Sequence, residues 1–133
     1  MSTSDPAPYE RFVRRVGGPA LELGCGDGDP LLDLVAAGLD VEGLDASSDM
    51  LERCRQAADQ RGLDVTLHLA TMQDMDLGRR YHSIYLAGAT FNLLDDDATA
   101  GASLRRIAAH LEPDGVALIP LMLPVPTPPG ALG

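Results

Sequence analysis

The chain has 133 residues, the size of one ordinary domain, and 45% of them are hydrophobic, enough for a packed core and too many for a disordered chain. Twenty acidic residues against ten basic ones give a net charge of −10, which argues against nucleic acid or an anionic membrane as partner, since both need a basic face. Cys25 and Cys54, the only cysteines, stand in no metal-ligand spacing and make no disulfide framework, so no metal is expected and a reducing cytoplasm is the expected compartment. Neither a basic-then-apolar leader nor an apolar run of membrane-spanning length is present in the sequence.

Residues 1–8 are small, polar and proline-containing, and read as a loose N-terminus. Tyr9, Phe12, Val13 and Val16 recur at helical spacing, and Gly17-Gly18-Pro19 ends that helix. Tyr9 and Phe12 fit packing onto the domain; the functional alternative is a helix over a pocket, with Tyr9 reaching a substrate. Ala20–Leu23 is short and apolar, as a buried parallel strand would be. Gly24, Gly26 and Gly28 follow at alternate positions. Asp29-Pro30 reads as an N-cap with proline at the first helical position, Leu31, Leu34 and Val35 form a short helix, and Gly38 closes it.

Val41–Leu44 is a second strand ending on Asp45. Asp49 and Glu52 have the spacing of a capping box. They open a helix through Arg61, with Met50, Leu51, Cys54, Ala57 and Ala58 on its inner side and Gly62 as its stop. Val65–Leu69 is a third strand, and Ile84–Leu86 begins a fourth behind the turn Leu77-Gly78-Arg79-Arg80. The acids Asp95, Asp96 and Asp97 precede a helix carrying Leu104, Ile107, Ala108 and Leu111, where they favourably oppose the helix dipole. Glu112-Pro113-Asp114-Gly115 is a turn signal before a fifth strand, Val116–Ile119. One domain over 9–121 is expected, followed by a proline-rich tail over 122–133. The alternation predicts an α/β fold, a Rossmann-like doubly wound parallel sheet of about five strands with helices on both faces.

In such a sheet, ligands bind beyond the carboxyl ends of the strands. The glycine loop and Asp45 belong to that rim. Glycines there take positive φ and bring bare backbone up to a ligand. An acid about twenty residues beyond the first glycine is placed to accept hydrogen bonds from a ribose diol. A dinucleotide fingerprint needs a third glycine three positions after Gly26, and that position is Asp29. Glu22, Asp27 and Asp29 would repel a pyrophosphate but suit a cationic ligand. S-adenosylmethionine, with an ammonium, a sulfonium and no phosphate, fits these electrostatics better than NAD or FAD.

From about Tyr9 to Leu121 the chain resembles the class I S-adenosylmethionine-dependent methyltransferases of the small-molecule type. Leu-Glu-Leu-Gly-Cys-Gly-Asp-Gly (21–28) resembles the family's first motif, Val-Glu-Gly-Leu-Asp-Ala-Ser (41–47) with Asp49-Met50-Leu51 its second, and Leu-Glu-Pro-Asp-Gly-Val-Ala-Leu-Ile (111–119) its turn into the fifth strand. The resemblance implies that the glycines contact the methionine part of the cofactor, that Glu22 organises the loop and that Asp45 holds the ribose. It also places Cys25, Ala46, Met50 and Leu86 around the cofactor. Thr71 stands where the family often has an acid for the adenine amine, with Met72 to stack on the ring and Asp74 as a substitute acid. His82 replaces a usual aspartate and reads as a surface or satisfied histidine.

The resemblance implies in-line methyl transfer to a small-molecule acceptor, with Tyr9, Phe91 and Asn92 on the substrate side and no obligatory catalytic base. The family's final antiparallel hairpin has no counterpart in the sequence. The fifth strand is therefore expected to be an open edge, available to a second copy or another partner. Two other readings stay open: a truncated or non-catalytic cofactor-binding subunit, and an NAD-dependent oxidoreductase, against which the missing third glycine counts.

Overall fold

The computed structural model describes residues 5–87 and 97–119. Its elements are α1 (Ala7–Val16), β1 (Ala20–Leu23), α2 (Leu31–Ala36), β2 (Val41–Asp45), α3 (Ser48–Gln60), β3 (Leu67–Leu69), β4 (Tyr81–Leu86), α4 (Asp97–Ala109) and β5 (Leu111–Leu118). The five strands form one sheet in the order β3-β2-β1-β4-β5, and every neighbouring pair is parallel. This is the doubly wound α/β arrangement that the alternation predicts.

The order fixes where a ligand can sit. The chain moves outward from β1 to β2 and β3, then returns across β1 to β4. The switch point lies between β1 and β4, in register at Leu23↔Leu86. Parallel neighbours diverge there, which leaves a crevice at their carboxyl ends. The glycine loop leaves β1 at that crevice.

Strand alternation sorts the core into two layers. Ala20, Val41 and Tyr85 pack with Phe12 and Val13 of α1, Leu31 and Leu34 of α2, and Leu51, Cys54 and Ala58 of α3. Leu21, Leu23, Leu44, Ile84 and Leu86 pack on the other face with Met75 and Ile107 of α4. Glu22, between Leu21 and Leu23, therefore lies on the α1–α3 side.

Several local expectations are corrected. Helix α1 begins at Ala7, ahead of Tyr9. Asp29 does not cap α2: that helix has no side-chain cap, and its early donors Leu32 N–H and Asp33 N–H go to the Gly28 and Pro30 carbonyls at 2.8 and 2.9 Å. Helix α3 is capped by Ser47, whose Oγ accepts from the Met50 N–H at 3.2 Å, and not by an Asp49–Glu52 box. Met50 is 38% exposed and lies off that helix's inner face. Strand β3 is shorter than expected and β4 starts three residues sooner, at Tyr81. Helix α4 ends at Ala109, so Leu111 belongs to β5, and Leu104 is 43% exposed.

The fifth strand holds the largest departure. Pro113-Asp114-Gly115 does not precede β5 but bulges within it, since Tyr81 pairs with Leu111 and Ser83 already pairs with Val116. A Cβ on Gly115 would lie 3.0 Å from the Tyr81 carbonyl and 3.1 Å from that of His82, so glycine lets the bulge lie against β4. His82 Nε2 faces Asp114 Oδ1 of that bulge at 3.3 Å.

Candidate functional site

The glycine loop is held by β2. Cys25 N–H donates to the Leu44 carbonyl at 3.0 Å, which continues the β1–β2 ladder one step past the strand. Gly26 N–H donates to Asp45 Oδ2 at 2.8 Å, and Ser47 N–H donates to Asp45 Oδ1 at 2.9 Å. One carboxylate thus ties the loop after β1 to the start of α3. A carboxylate oxygen accepts more than one hydrogen bond, so Asp45 keeps acceptor capacity for a diol. Sequence reasoning places Asp45 on the rim but misses its grip on Gly26 and the part of Ser47. The Ser47 signal was present: a serine directly ahead of a helix, two residues after the acid.

The three loop glycines differ. All have positive φ: 65° at Gly24, 54° at Gly26 and 106° at Gly28. A Cβ on Gly26 would meet nothing within 4 Å, so this is the open side of the loop. A Cβ on Gly28 would lie 2.8 Å from Leu32 Cδ1 and 3.1 Å from Cys54 Sγ. Gly28 also spends its N–H on the Cys25 carbonyl at 3.0 Å and its own carbonyl on Leu32. It is a packing glycine. Cys25 is likewise buried in the core with Cys54, its thiol donating to the Gly26 carbonyl at 3.9 Å, and both cysteines are free. The neighbouring Cys54 thiol and burial push the Cys25 thiol well above its usual range.

Of the acids at the loop, Asp27 is exposed and Asp29 half-buried, while Glu22 is fully buried. Glu22 Oε1 accepts from the Tyr85 hydroxyl at 2.6 Å, and its Oε2 has no partner. Burial pushes the Glu22 carboxyl up to about 8, against the opposing pull of the Tyr85 hydrogen bond. Tyr9 stacks on Tyr85 with ring centroids 5.2 Å apart, which brings α1 against this pair. Tyr85 is the residue of this cluster that the sequence did not announce, because only β1–β4 pairing sets it beside Glu22.

The remaining predicted residues divide. Ala46 is exposed beside Asp45. Ala70 N–H donates to the Asp45 carbonyl at 3.1 Å, so Thr71, Met72 and Asp74 follow directly on the same rim. Thr71 Oγ1 donates to Asp74 Oδ2 at 3.2 Å, which makes one polar turn of the two residues. Met72 is partly buried against the second core layer. Leu86 ends β4 beside Leu23 and is buried in that layer. Phe91 and Asn92, with Asp95 and Asp96, lie outside the described residues, as do residues 120–133.

This arrangement offers an accepting carboxylate for a diol, an open glycine backbone, and an enclosed carboxyl that lacks a counter-charge. Those are the requirements of a ribose-bearing ligand with a positive end and no phosphate. A family model described as a methyltransferase domain matches residues 20–115. The chain is 37% identical over 118 residues to a dTDP-3-amino-3,6-dideoxy-alpha-D-glucopyranose N,N-dimethyltransferase from Streptomyces fradiae, covering 86% of this chain and 45% of that enzyme. Its fold matches the CcbJ methyltransferase from Streptomyces caelestis with a TM-score of 0.80 and 28% identity, over 89% of this chain and 49% of that one. It matches the glycopeptide N-methyltransferase MtfA complexed with S-adenosylmethionine with a TM-score of 0.74 and 28% identity, over 88% and 50% of the two chains. The chain spans about half the length of the relatives it matches.

Proposed function

Because the chain belongs to the methyltransferase domain family, we propose that it binds S-adenosylmethionine over its glycine loop and serves methyl transfer to a small molecule, with an amine on a sugar as acceptor. The amine and the sugar are suggested by the relatives' names: an amino-sugar N,N-dimethyltransferase and a glycopeptide N-methyltransferase. The observation that carries the cofactor reading is the Asp45 carboxylate, fixed by two backbone N–H donors beside an enclosed Glu22 oxygen with no partner.

When bound, the cofactor supplies an electrophilic methyl group on its sulfonium. The protein's own residues supply position and electrostatics. In this reading Asp45 accepts from the ribose diol, Gly24 and Gly26 let the methionine part lie against backbone, and Glu22 supplies negative charge near its cationic end. Ala46, Met50, Thr71 and Met72 line the nucleoside side, with Thr71 and Asp74 toward the adenine. Tyr9, Phe91 and Asn92 serve the acceptor. The open edge of β5, where Val116 is 45% exposed, is the surface for a second copy or a partner.

Calorimetric titration tests this directly. S-adenosylmethionine is expected to bind at micromolar levels, and Asp45→Ala to weaken it roughly 10- to 100-fold, the worth of hydrogen bonds to a charged acceptor. Tight binding of NADH, or no binding of S-adenosylmethionine, overturns the reading. A cofactor-binding unit without activity of its own is favoured by one fact, the coverage of 45% of the relative's length. Radiolabelled methyl transfer to a 3-amino sugar nucleotide separates the two: transfer by this chain alone rejects the inactive unit.

A further inference from the structure

Among the described residues, no cation lies near the enclosed carboxyl of Glu22. Every element packed on it contributes a neutral or acidic group. Strand β4 contributes Tyr85, and α1 contributes Tyr9 behind it. The loop contributes Cys25 and Asp29, α3 contributes Cys54, and α2 contributes only the Leu31 backbone N–H. An ionised carboxylate without a counter-charge is costly to bury, so the group stays protonated or waits for a positive partner. Glu22 lies two residues before Gly24 on the α1–α3 face, and Asp29 and Leu31, where the glycine loop runs into α2, both bear on its charge, so the carboxyl sits behind that loop with none of its surface exposed.

The phenol beside it is locked. Tyr85 is fully buried, with Tyr9 stacked on one face at 5.2 Å and Phe12 edge-on at 6.4 Å and 77°. Its hydroxyl is thereby fixed 2.6 Å from Glu22 Oε1, while Oε2 is left with nothing. The pairing spans 63 residues of sequence. A hydroxyl that donates to one oxygen favours the charged form and fixes the carboxyl plane.

We propose that Tyr85 is a positioning residue for the cofactor: it holds Glu22 by one oxygen so that the other faces the cofactor's cationic end through the glycine loop, and cofactor binding ionises Glu22 with release of its proton to solvent. This rests on the S-adenosylmethionine reading above. No bond other than the carboxyl O–H breaks, and the proton passes to the buffer. Tyr9 and Phe12 act through Tyr85 by keeping its ring in place.

The test is calorimetric titration of the full chain with S-adenosylmethionine in phosphate and in Tris at matched pH. At pH 7 the two apparent enthalpies are expected to differ by the difference between the two buffers' ionisation heats for nearly one proton, because a free Glu22 near 8 is mostly protonated there. Glu22→Gln is expected to show no buffer dependence. Between pH 5.5 and 7, where the cofactor's own amine stays charged, wild-type affinity is expected to rise about tenfold per pH unit and that of Glu22→Gln to stay flat. Tyr85→Phe is expected to bind roughly tenfold more weakly at pH 7. Its proton release should also persist to higher pH than in the wild type, where it fades above about 8. A purely structural role for Tyr85 would weaken binding equally at every pH and leave that profile in place, which overturns the proposal. Binding without proton release overturns it as well and leaves the cofactor reading intact. Absence of binding overturns both. If Tyr85→Phe does not fold, as circular dichroism would show, the comparison of wild type with Glu22→Gln decides.

Discussion

Glu22 and Glu42 stand on the neighbouring strands β1 and β2, both buried, and they titrate in opposite directions. Glu42 accepts from the Tyr81 hydroxyl at 2.7 Å, faces His68 Nε2 at 2.8 Å and pairs with Arg79. Burial raises its carboxyl, but the hydrogen bonds from Tyr81 and His68 and the charge of Arg79 outweigh that and hold it below the ordinary value of 4.5. Glu22 has the Tyr85 hydroxyl and the Leu31 backbone N–H but no cation, and rises to about 8. Linkage gives each a sign. Glu22 binds its proton more tightly folded than unfolded, so its contribution to stability is complete below 4.5 and is lost as pH rises through about 8. The Glu42 contribution is present above 4.5 and is lost as pH falls through its lowered value. Thermal unfolding between pH 3 and 9 is therefore expected to show decline on both sides. Glu22→Gln should remove the decline on the alkaline side and leave the acid one.

At the scale of elements, two small residues set how β2 meets its helices. A Cβ on Gly43 would lie 2.6 Å from Leu31 Cδ2 and 2.8 Å from Cys25 Sγ, so only glycine lets α2 and the loop lie against the strand. Gly43→Ala is expected to destabilise by about 1–3 kcal/mol in urea unfolding, the usual cost of overpacking. Ser47 caps α3 with its side chain and reaches Asp45 with its N–H. Ser47→Ala is expected to cost about 1 kcal/mol through the lost cap, and to weaken cofactor binding little, since its N–H remains. Gly43 was legible as a lone glycine inside a strand pattern. The Asp49–Glu52 spacing pointed to the wrong cap, because Ser47, two residues ahead of Asp49, is the extended residue, with φ −102° and ψ 114°. The turn signal at Glu112–Gly115 was read as a strand boundary because local residue preference cannot tell a turn from a bulge; pairing with Tyr81 and Ser83 does.

For the molecule as a whole, strand order decides where chemistry can occur. The return from β3 to β4 across β1 opens the crevice, and the two core layers close both faces beneath it. Among the described residues β5 has no neighbour on its outer side, and Val116 and Leu118 are exposed on it. Such an edge invites pairing. Sedimentation velocity is expected to show concentration-dependent association that Val116→Lys suppresses; a monomer at all concentrations would remove the edge from consideration. Among the described residues no helix is long and apolar enough to cross a membrane.

The sequence by itself determined the βα alternation, the place of the glycine loop and the position of Asp45 at the end of a strand. These are local properties: apolar runs, glycines with free φ, and a spacing along one βαβ unit. Tertiary structure alone decided which groups complete the site. It spent the carboxylate of Asp45 on Gly26, 19 residues away, and turned Gly28 into a packing residue. It set Tyr85 against Glu22 across 63 residues and left one Glu22 oxygen without a partner. Those outcomes follow from strand register and helix packing, which apolar runs and spacings along the chain do not encode.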